Sequence, residues 1–333
     1  MKTGILIANL GTPDSTKVSD VGRYLVQFLM DKHIIQLPLP LRFLLVWGII
    51  VPFRSKKSAH AYKKIWNDNG APLRTHTIDL SKQLGTLLPN PIAYGMRYGN
   101  PSISNAVKDL VENHKVDRIL LCPMFPQNST ATILTLREEM ARACSKYEIT
   151  WETLPEYYKH PTYISTLSDI YTNHIKDKKI DHTIISFHGL PESHLKKENP
   201  HFCLEKSDCC ELVTARNEKC YKHQCMVTAK LLASKLNLSK SEYTVSFQSR
   251  LGRNPWLTPN TEDIIKQLGS KTKSIAITTP GFSADCLETI EELGIQGRKV
   301  YLDHGGEEFT LIPSTNASPI WVNNLSKLIQ QQL

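Results

Sequence analysis

Hydrophobic residues along the chain alternate between short unbroken runs and longer stretches spaced at three and four. Gly4–Leu10 is a continuous apolar run that gives way to Gly11-Thr12-Pro13, the pattern of a buried strand followed by a turn. Arg118–Leu121, Thr183–Phe187 and Ser274–Thr278 repeat it, and weaker strands are predicted near 91–97, 148–153, 243–248 and 299–303. Val18, Val21, Leu25, Phe28 and Leu29 fall on one helix face. Further helices are predicted over 72–88, 101–115, 129–146, 161–178, 211–236, 259–268 and 283–293. Strands alternating with helices predict parallel βαβ units with helices on both sheet faces.

The alternation runs twice. It predicts an α/β protein of two similar Rossmann-like, doubly wound domains, each on a parallel four-stranded sheet, around one active-site cleft. The first is expected over 1–155, with an apolar lip at 33–53. The second is expected over 156–333, with a cysteine-rich segment at 203–225 and a final helix able to pack back on the first domain. No Gly-x-Gly-x-x-Gly follows the first strand, so a dinucleotide is not the expected ligand.

His33–Phe53 breaks the rhythm, running apolar through Phe43–Ile50 between Pro38, Pro40 and Pro52. It reads either as a core helix or as an apolar lip over a hydrophobic pocket, able to touch a membrane interface. Arg54, Lys56, Lys57, Lys63 and Lys64 follow directly, with Tyr62 and Trp66 among them. An apolar wall with a basic rim suits a carboxylate-bearing apolar ligand; a solvated helix face explains the lysines equally well.

At 333 residues and 41% hydrophobic, the chain can bury one large core or two ordinary ones. The formal charge of +8 is spread along the chain, so no nucleic-acid partner is expected. The first ten residues resemble a signal peptide only superficially, because they run into Gly11-Thr-Pro-Asp with no small-residue cleavage site. No window reaches the roughly 18 apolar residues that span a bilayer. A cytoplasmic protein is expected, and its eight cysteines should be thiols or metal ligands rather than disulfides.

Candidate chemistry gathers at the strand ends. Ile184–Pro191 is a strand that stops at His188-Gly189, placing an imidazole where open α/β sheets collect ligands. Alone, such a histidine is as readily a loop residue capping a carbonyl. Glu288 and Glu292, four apart, share one face of a helix that starts after the Pro280-Gly-Phe turn. Acidic residues in a first turn ordinarily complement the helix dipole. Together with His188 they become a candidate site for a metal and for protons. Ser249 and Arg250 at another strand end can hold a carboxylate, Trp256 offers a flat apolar surface, and Gly95-Met-Arg-Tyr ends a further strand in the same manner.

In combination, Ile185-Ser-Phe-His-Gly-Leu-Pro, Phe247-Gln-Ser-Arg-Leu-Gly, Pro255-Trp-Leu, Pro280-Gly-Phe, Asp285-Cys-Leu-Glu-Thr and Gly95-Met-Arg-Tyr resemble ferrochelatase. The resemblance runs from Gly4 to about Pro319, and Gly22-Arg-Tyr-Leu, Arg54 and Asn69-Gly-Ala-Pro resemble the proteobacterial protoporphyrin branch. It implies a lyase that inserts Fe²⁺ into protoporphyrin IX to form protohaem, the last step of haem biosynthesis. It implies His188, Glu288 and Glu292 as catalytic residues, with His188 and Glu288 meeting the iron. Arg54, Lys57 and Ser249 match positions facing propionates, and Tyr62, Arg97, Tyr98, Phe125 and Trp256 fall to the substrate pocket, Phe125 on the porphyrin face opposite His188. The chain departs from many relatives at Cys286, where they carry histidine.

Cys203, Cys209, Cys210, Cys220 and Cys225 are five of the eight cysteines, within 23 residues. Free thiols, a zinc site and an iron–sulfur site all remain open from spacing alone. The resemblance implies a [2Fe–2S] cluster on four of the five, with Cys220 and Cys225 the firmest ligands and Cys203 and one of Cys209 or Cys210 completing the set. Other expected partners are the porphyrin itself and a peripheral contact with the inner membrane, the protein being monomer or homodimer. The rival readings are coproporphyrin as substrate, a non-catalytic porphyrin carrier in which His188 is an axial ligand, and an Fe–S or zinc sensor. A carrier has no need of the Glu288/Glu292 pair.

Overall fold

The computed structural model describes residues 2–198, 204, 209–211, 214, 217–250 and 254–333. The elements of the first half are β1 (Thr3–Thr12), α1 (Val18–Leu29), α2 (Leu39–Phe43), α3 (Val51–Ile65), α4 (Pro72–Leu87), β2 (Ile92–Gly99), α5 (Ile103–Glu112), β3 (Arg118–Pro123), α6 (Thr135–Cys144) and β4 (Thr150–Thr153). Then come α7 (Pro161–Ile175), β5 (His182–His188), α8 (Glu192–Glu198), α9 (Tyr221–Lys235), β6 (Tyr243–Gln248), α10 (Thr261–Gly269), β7 (Ser274–Thr278), α11 (Arg298–Asp303), β8 (Glu308–Leu311) and α12 (Pro319–Gln330). Among the described residues three stretches are π-helical: Leu44–Ile50, Thr130–Leu134 and Leu287–Gly297.

Two all-parallel sheets result, ordered β2-β1-β3-β4 and β6-β5-β7-β8. The α/β class and the doubly wound parallel arrangement are therefore as expected. The chain divides into two compact units, one of residues 1–125, 129–155 and 316–333, the other of 126–128 and 156–315.

In the first unit β1 is buried along nearly its whole length, as a central strand covered on both faces must be. One face packs Leu6, Ile119 and Leu121 against Val107, Leu110, Leu136 and Met140 of α5 and α6. Where β1 ends, Gly11 has φ +119°, and a Cβ there would stand 1.7 Å from the Tyr98 carbonyl of β2. Only glycine lets the two strand ends approach so closely.

In the second unit the period of two along β5 sorts its side chains. Ile185 and Phe187 pack with Cys225, Ala229 and Ala233 of α9, whereas Ile184 packs with Ile265, Leu293 and Tyr301 on the opposite face. Ser186 and His188 share the face of Ile184, the face covered by the π-helix Leu287–Gly297.

Three expectations need correction. The strand near 299–303 is helix α11, and the last strand is β8, further on. Val300-Tyr301-Leu302 is too short an apolar run to tell the two periods apart, and Gly305 at φ +100° ends the helix before Phe309 enters the sheet. The helix over 211–236 begins only at Tyr221. Cys209–Glu211 and Asn217–Lys219 form turns, where Asn217 accepts from the Thr214 amide at 2.8 Å and donates to the Cys209 carbonyl at 2.9 Å. Such side-chain bonds to the backbone compete with helix formation. The acidic helix over 283–293 starts only at Leu287, and it is a π-helix.

Leu39–Ile65 is one helical run, α2 passing through the π-helical Leu44–Ile50 into α3, and Pro52 lies inside it, removing one backbone donor where the π-helical stretch meets α3. One face of this run is buried, with Val46, Ala59, Tyr62 and Ile65, and the other is uncovered. Leu39, Leu41, Phe43, Leu44, Trp47, Ile49 and Phe53 are all exposed, Phe53 to 78%. Among the described residues no helix is long and apolar enough to cross a membrane.

Candidate active site

His188 is the last residue of β5, paired in register with Gln248 of β6. It stands at the carboxyl end of the sheet beside the point where strand order reverses between β5 and β7, where such sheets form a crevice. Its Nδ1 lies 2.6 Å from the Gly189 carbonyl. A carbonyl can only accept, so Nδ1 carries the proton and Nε2 keeps its lone pair. Gly189 has no room for a side chain: a Cβ would sit 2.7 Å from the Gln248 carbonyl and 3.3 Å from the Trp256 ring.

Gln248 ties the histidine strand to the acidic helix. Its Oε1 accepts from the buried Ser186 hydroxyl at 2.9 Å, and its Nε2 donates to the Glu288 carbonyl at 2.9 Å. The next residue, Ser249, has φ +66° and turns back on Glu292, giving its amide at 2.7 Å and its hydroxyl at 2.6 Å to the two carboxylate oxygens. Burial pushes the Glu292 carboxyl above the ordinary range. The Ser249 bonds pull it down, as His188 would once protonated, and Glu288 pushes it further up.

After β7 the Pro280-Gly-Phe turn is fastened by two bonds to the Pro280 carbonyl, from Tyr163 at 2.9 Å and from Gln127 at 3.2 Å. It presents the Phe282 ring 6.4 Å from the His188 ring. The Cys286 amide donates to Thr289 Oγ1 at 3.0 Å, and that hydroxyl donates to Asp285 at 3.0 Å, which fixes the start of the π-helix. Cys286 itself is buried, and burial together with Glu288 holds its thiol well above the ordinary thiol range. An unionised thiol is a poor metal ligand.

His188, Glu288, Glu292 and Ser249 are thus brought together. Trp256 joins them by packing on Gly189 and by a β-bridge to Pro191. Ser249 spends both of its donors on Glu292.

The remaining predicted residues lie in the first unit. Arg54 and Lys57 are exposed on α3, and Phe125 is half-buried against the α5–α6 core. Tyr62 is buried, with its ring edge-on to Tyr24. Arg97 and Tyr98 are engaged by Asp31, whose Oδ2 lies 2.5 Å from the guanidinium, 3.0 Å from the Tyr98 hydroxyl and 2.7 Å from the Thr135 hydroxyl. Burial alone would raise the Asp31 carboxyl, but the His33 amide, Thr135, Arg97 and Tyr98 hold it below the ordinary range.

Of the clustered cysteines, Cys203 lies outside the described residues. Cys209 and Cys210 are half-buried with their Sγ atoms 3.8 Å apart, and Cys210 is hydrogen-bonded to Cys220, the residue preceding α9. Cys225 is fully buried on α9. Burial, and the charge Cys220 would carry, push its thiol far up. Among the described residues no three of His, Cys, Asp and Glu are disposed to hold a metal.

The family model for ferrochelatase matches residues 2–333. The chain belongs to the ferrochelatase family. It is 39% identical to the ferrochelatase of Coxiella burnetii (strain Dugway 5J108-111), covering 100% of this chain and 94% of that one. It is 40% identical to that of Bdellovibrio bacteriovorus, covering 99% of each, and 39% identical to that of Legionella pneumophila (strain Corby), covering 100% of each. Among solved structures it shares its fold with SirB from Bacillus subtilis with Fe³⁺, at a TM-score of 0.55 and 10% identity over 99% of this chain and 95% of that one. Its function is that of a ferrochelatase, a metal-chelating lyase whose substrate ion is Fe²⁺.

The sequence pointed to His188, Glu288 and Glu292 but not to Gln248, Phe282 and Tyr221 beside them. The first two lie inside motifs already quoted, so position alone could have found them. Tyr221, between two cysteines, carried no such signal.

Proposed function

We propose that this ferrochelatase inserts Fe²⁺ into protoporphyrin IX, with His188, Glu288 and Glu292 as its catalytic residues. The observation that carries the reading is the juxtaposition at one strand end of an imidazole with a free Nε2 and a carboxyl raised by burial.

Insertion releases two pyrrole protons for each iron that enters. Nε2 of His188 accepts a pyrrole proton. Glu292, reluctant to stay ionised, is suited to take protons onward, and Glu288 beside it meets the iron or passes protons outward. Trp256 and Phe282 offer aromatic surface to the macrocycle. Arg54 and Lys57 supply exposed cations for propionates, and Arg97, Tyr98, Tyr62 and Phe125 are the other substrate-binding residues of the first unit. Strain in the bound macrocycle would come from such remote contacts.

Two further features belong to this reading. The exposed apolar run ending at Phe53 meets a membrane surface from the cytoplasmic side, its neighbours Arg54, Lys56 and Lys57 facing anionic headgroups. Cys220, Cys225, Cys203 and one of Cys209 or Cys210 hold a [2Fe–2S] cluster, which when bound supplies a redox-sensitive cross-link. Its support is the hydrogen bond between Cys210 and Cys220 and the 3.8 Å approach of the Cys209 and Cys210 sulfurs. Anaerobically purified protein should then carry about two irons and two acid-labile sulfides per chain; zinc without sulfide would disprove it.

The deciding experiment is an anaerobic insertion assay with protoporphyrin and coproporphyrin in parallel, on the parent protein and on His188→Ala. Insertion into protoporphyrin that disappears in a folded His188→Ala protein supports the proposal. Preference for coproporphyrin would move the substrate, and normal turnover by the variant would remove His188 from the chemistry.

A further inference from the structure

We propose that Tyr221 is a positioning residue for His188, determining which ring nitrogen is left to take a proton. The proposal rests on His188 as the proton acceptor. It concerns how the imidazole is prepared for that task.

His188 closes the β5–β6 ladder. Beyond it the Gly189 amide donates to the Gln248 carbonyl at 2.8 Å, which secures one edge of the peptide joining His188 to Gly189. The other edge is the His188 carbonyl, and the Tyr221 hydroxyl donates to it at 2.8 Å. One bond comes from the neighbouring strand and the other from the first residue of α9, so the peptide plane cannot rotate. The next carbonyl along, that of Gly189, is the acceptor 2.6 Å from His188 Nδ1. Its direction follows from the plane before it. The Leu190 carbonyl after it accepts from the Leu257 amide at 3.0 Å, so the turn is held on that side as well.

A hydrogen bond from Nδ1–H to a backbone carbonyl selects the tautomer whose Nε2 is basic, and the groups that orient such a bond act at one remove on the chemistry. Tyr221 is one of those groups. Its ring lies in the cluster of Ile185, Phe187, Cys225 and Leu257. Packing in that cluster asks only for a phenyl group. A buried hydroxyl there would be costly without a partner, and the His188 carbonyl is that partner.

The test is Tyr221→Phe in the full chain, which keeps the ring and deletes the hydroxyl. Two readouts are needed: steady-state insertion kinetics, and ¹⁵N NMR of histidine-labelled protein with the His188 ring assigned by its loss in His188→Ala. Expected is a fall in kcat of about ten-fold or more with KM for porphyrin changed less than about two-fold. The His188 ring should pass from one Nδ1–H form to a mixture of tautomers. A folded variant with an unchanged ring spectrum overturns the proposal even if turnover drops, and so does unchanged kcat. If Tyr221→Phe does not fold, Tyr221→Leu, which also lacks the hydroxyl, is put to the same two readouts with the same outcomes. A parent protein that inserts no iron would end the reading of His188 as proton acceptor, while the two spectra would still decide its orientation by Tyr221.

Discussion

Both carboxylate oxygens of Glu292 are taken by Ser249, its amide holding one at 2.7 Å and its hydroxyl the other at 2.6 Å. The clamp orients the acid without neutralising it, because Ser249 brings no charge. Glu292 is therefore held in place and still disfavoured as an anion.

A stability prediction follows from that sign. A carboxyl raised in the folded state loses stability when it ionises, a cost fully present above its folded pKa and absent below the unfolded value of about 4.3. Glu292→Gln should therefore melt higher than the parent at neutral pH, by a margin that closes as the pH falls through the carboxylate range. Insertion activity should drop, the usual exchange at a strained functional site. Thermal melts at several pH values check it; equal melting temperatures at pH 7 would count against the buried-anion argument.

Ser249 itself stands at φ +66°. Ser249→Ala loses the hydroxyl and keeps the strain, whereas Ser249→Gly loses the hydroxyl and relieves it. The glycine variant should be more stable than the alanine variant by about 1 kcal/mol, and both should fall below the parent in activity. Urea unfolding of the pair measures the difference, and alanine at or above glycine would refute the strain.

Asp31→Asn tests the first-unit network. Its side chain is 6% exposed against 19% for Arg97, so removing the charge strands a largely buried guanidinium. The cost should be about 2–3 kcal/mol, at or below the low end for a broken buried pair because Arg97 keeps some water. Because the Asp31 carboxyl is depressed, its contribution is present above about pH 3.9 and is lost on further acidification. Acid titrations of stability should show a step in the parent that the variant lacks.

Leu41, Leu44 and Phe53 are 55%, 66% and 78% exposed. Replacing all three with serine should leave melting unchanged to within about 1 kcal/mol. It should weaken salt-sensitive binding to anionic vesicles and raise the KM for protoporphyrin more than that for a water-soluble porphyrin. Vesicle co-sedimentation settles the first point. Unaltered binding by a folded triple variant would show that this face does not meet lipid.

The parallel sheets were legible because β1, β5 and β7 are covered on both faces and carry consecutive apolar residues where a half-exposed strand would alternate. His188 was legible for a related reason: it stands where such a run stops. Ser249 was found as a polar strand-end residue, but its partner was not, since a bond across 43 positions leaves no local trace. Arg97 and Tyr98 were named from the family resemblance, and their bonds to Asp31, 66 and 67 positions away, leave no local trace. The apolar run before Arg54 was ambiguous, because a buried helix and an uncovered one carry the same residues.

One consequence of the π-helix Leu287–Gly297 concerns inheritance rather than chemistry. Each of its backbone bonds spans one residue more than an α-helical bond would, so the spacing of Glu288 from Glu292 and of Glu292 from the Ser249 clamp depends on how many residues the stretch contains. Substitution at an outward position such as Ile295 changes only surface, whereas Gln296 donates to the buried Glu291 carboxylate at 2.6 Å. Losing one residue between Glu288 and Gly297 would let the helix tighten and swing the later side chains around its axis. In this segment descent should therefore tolerate changes of letter far more readily than changes of length.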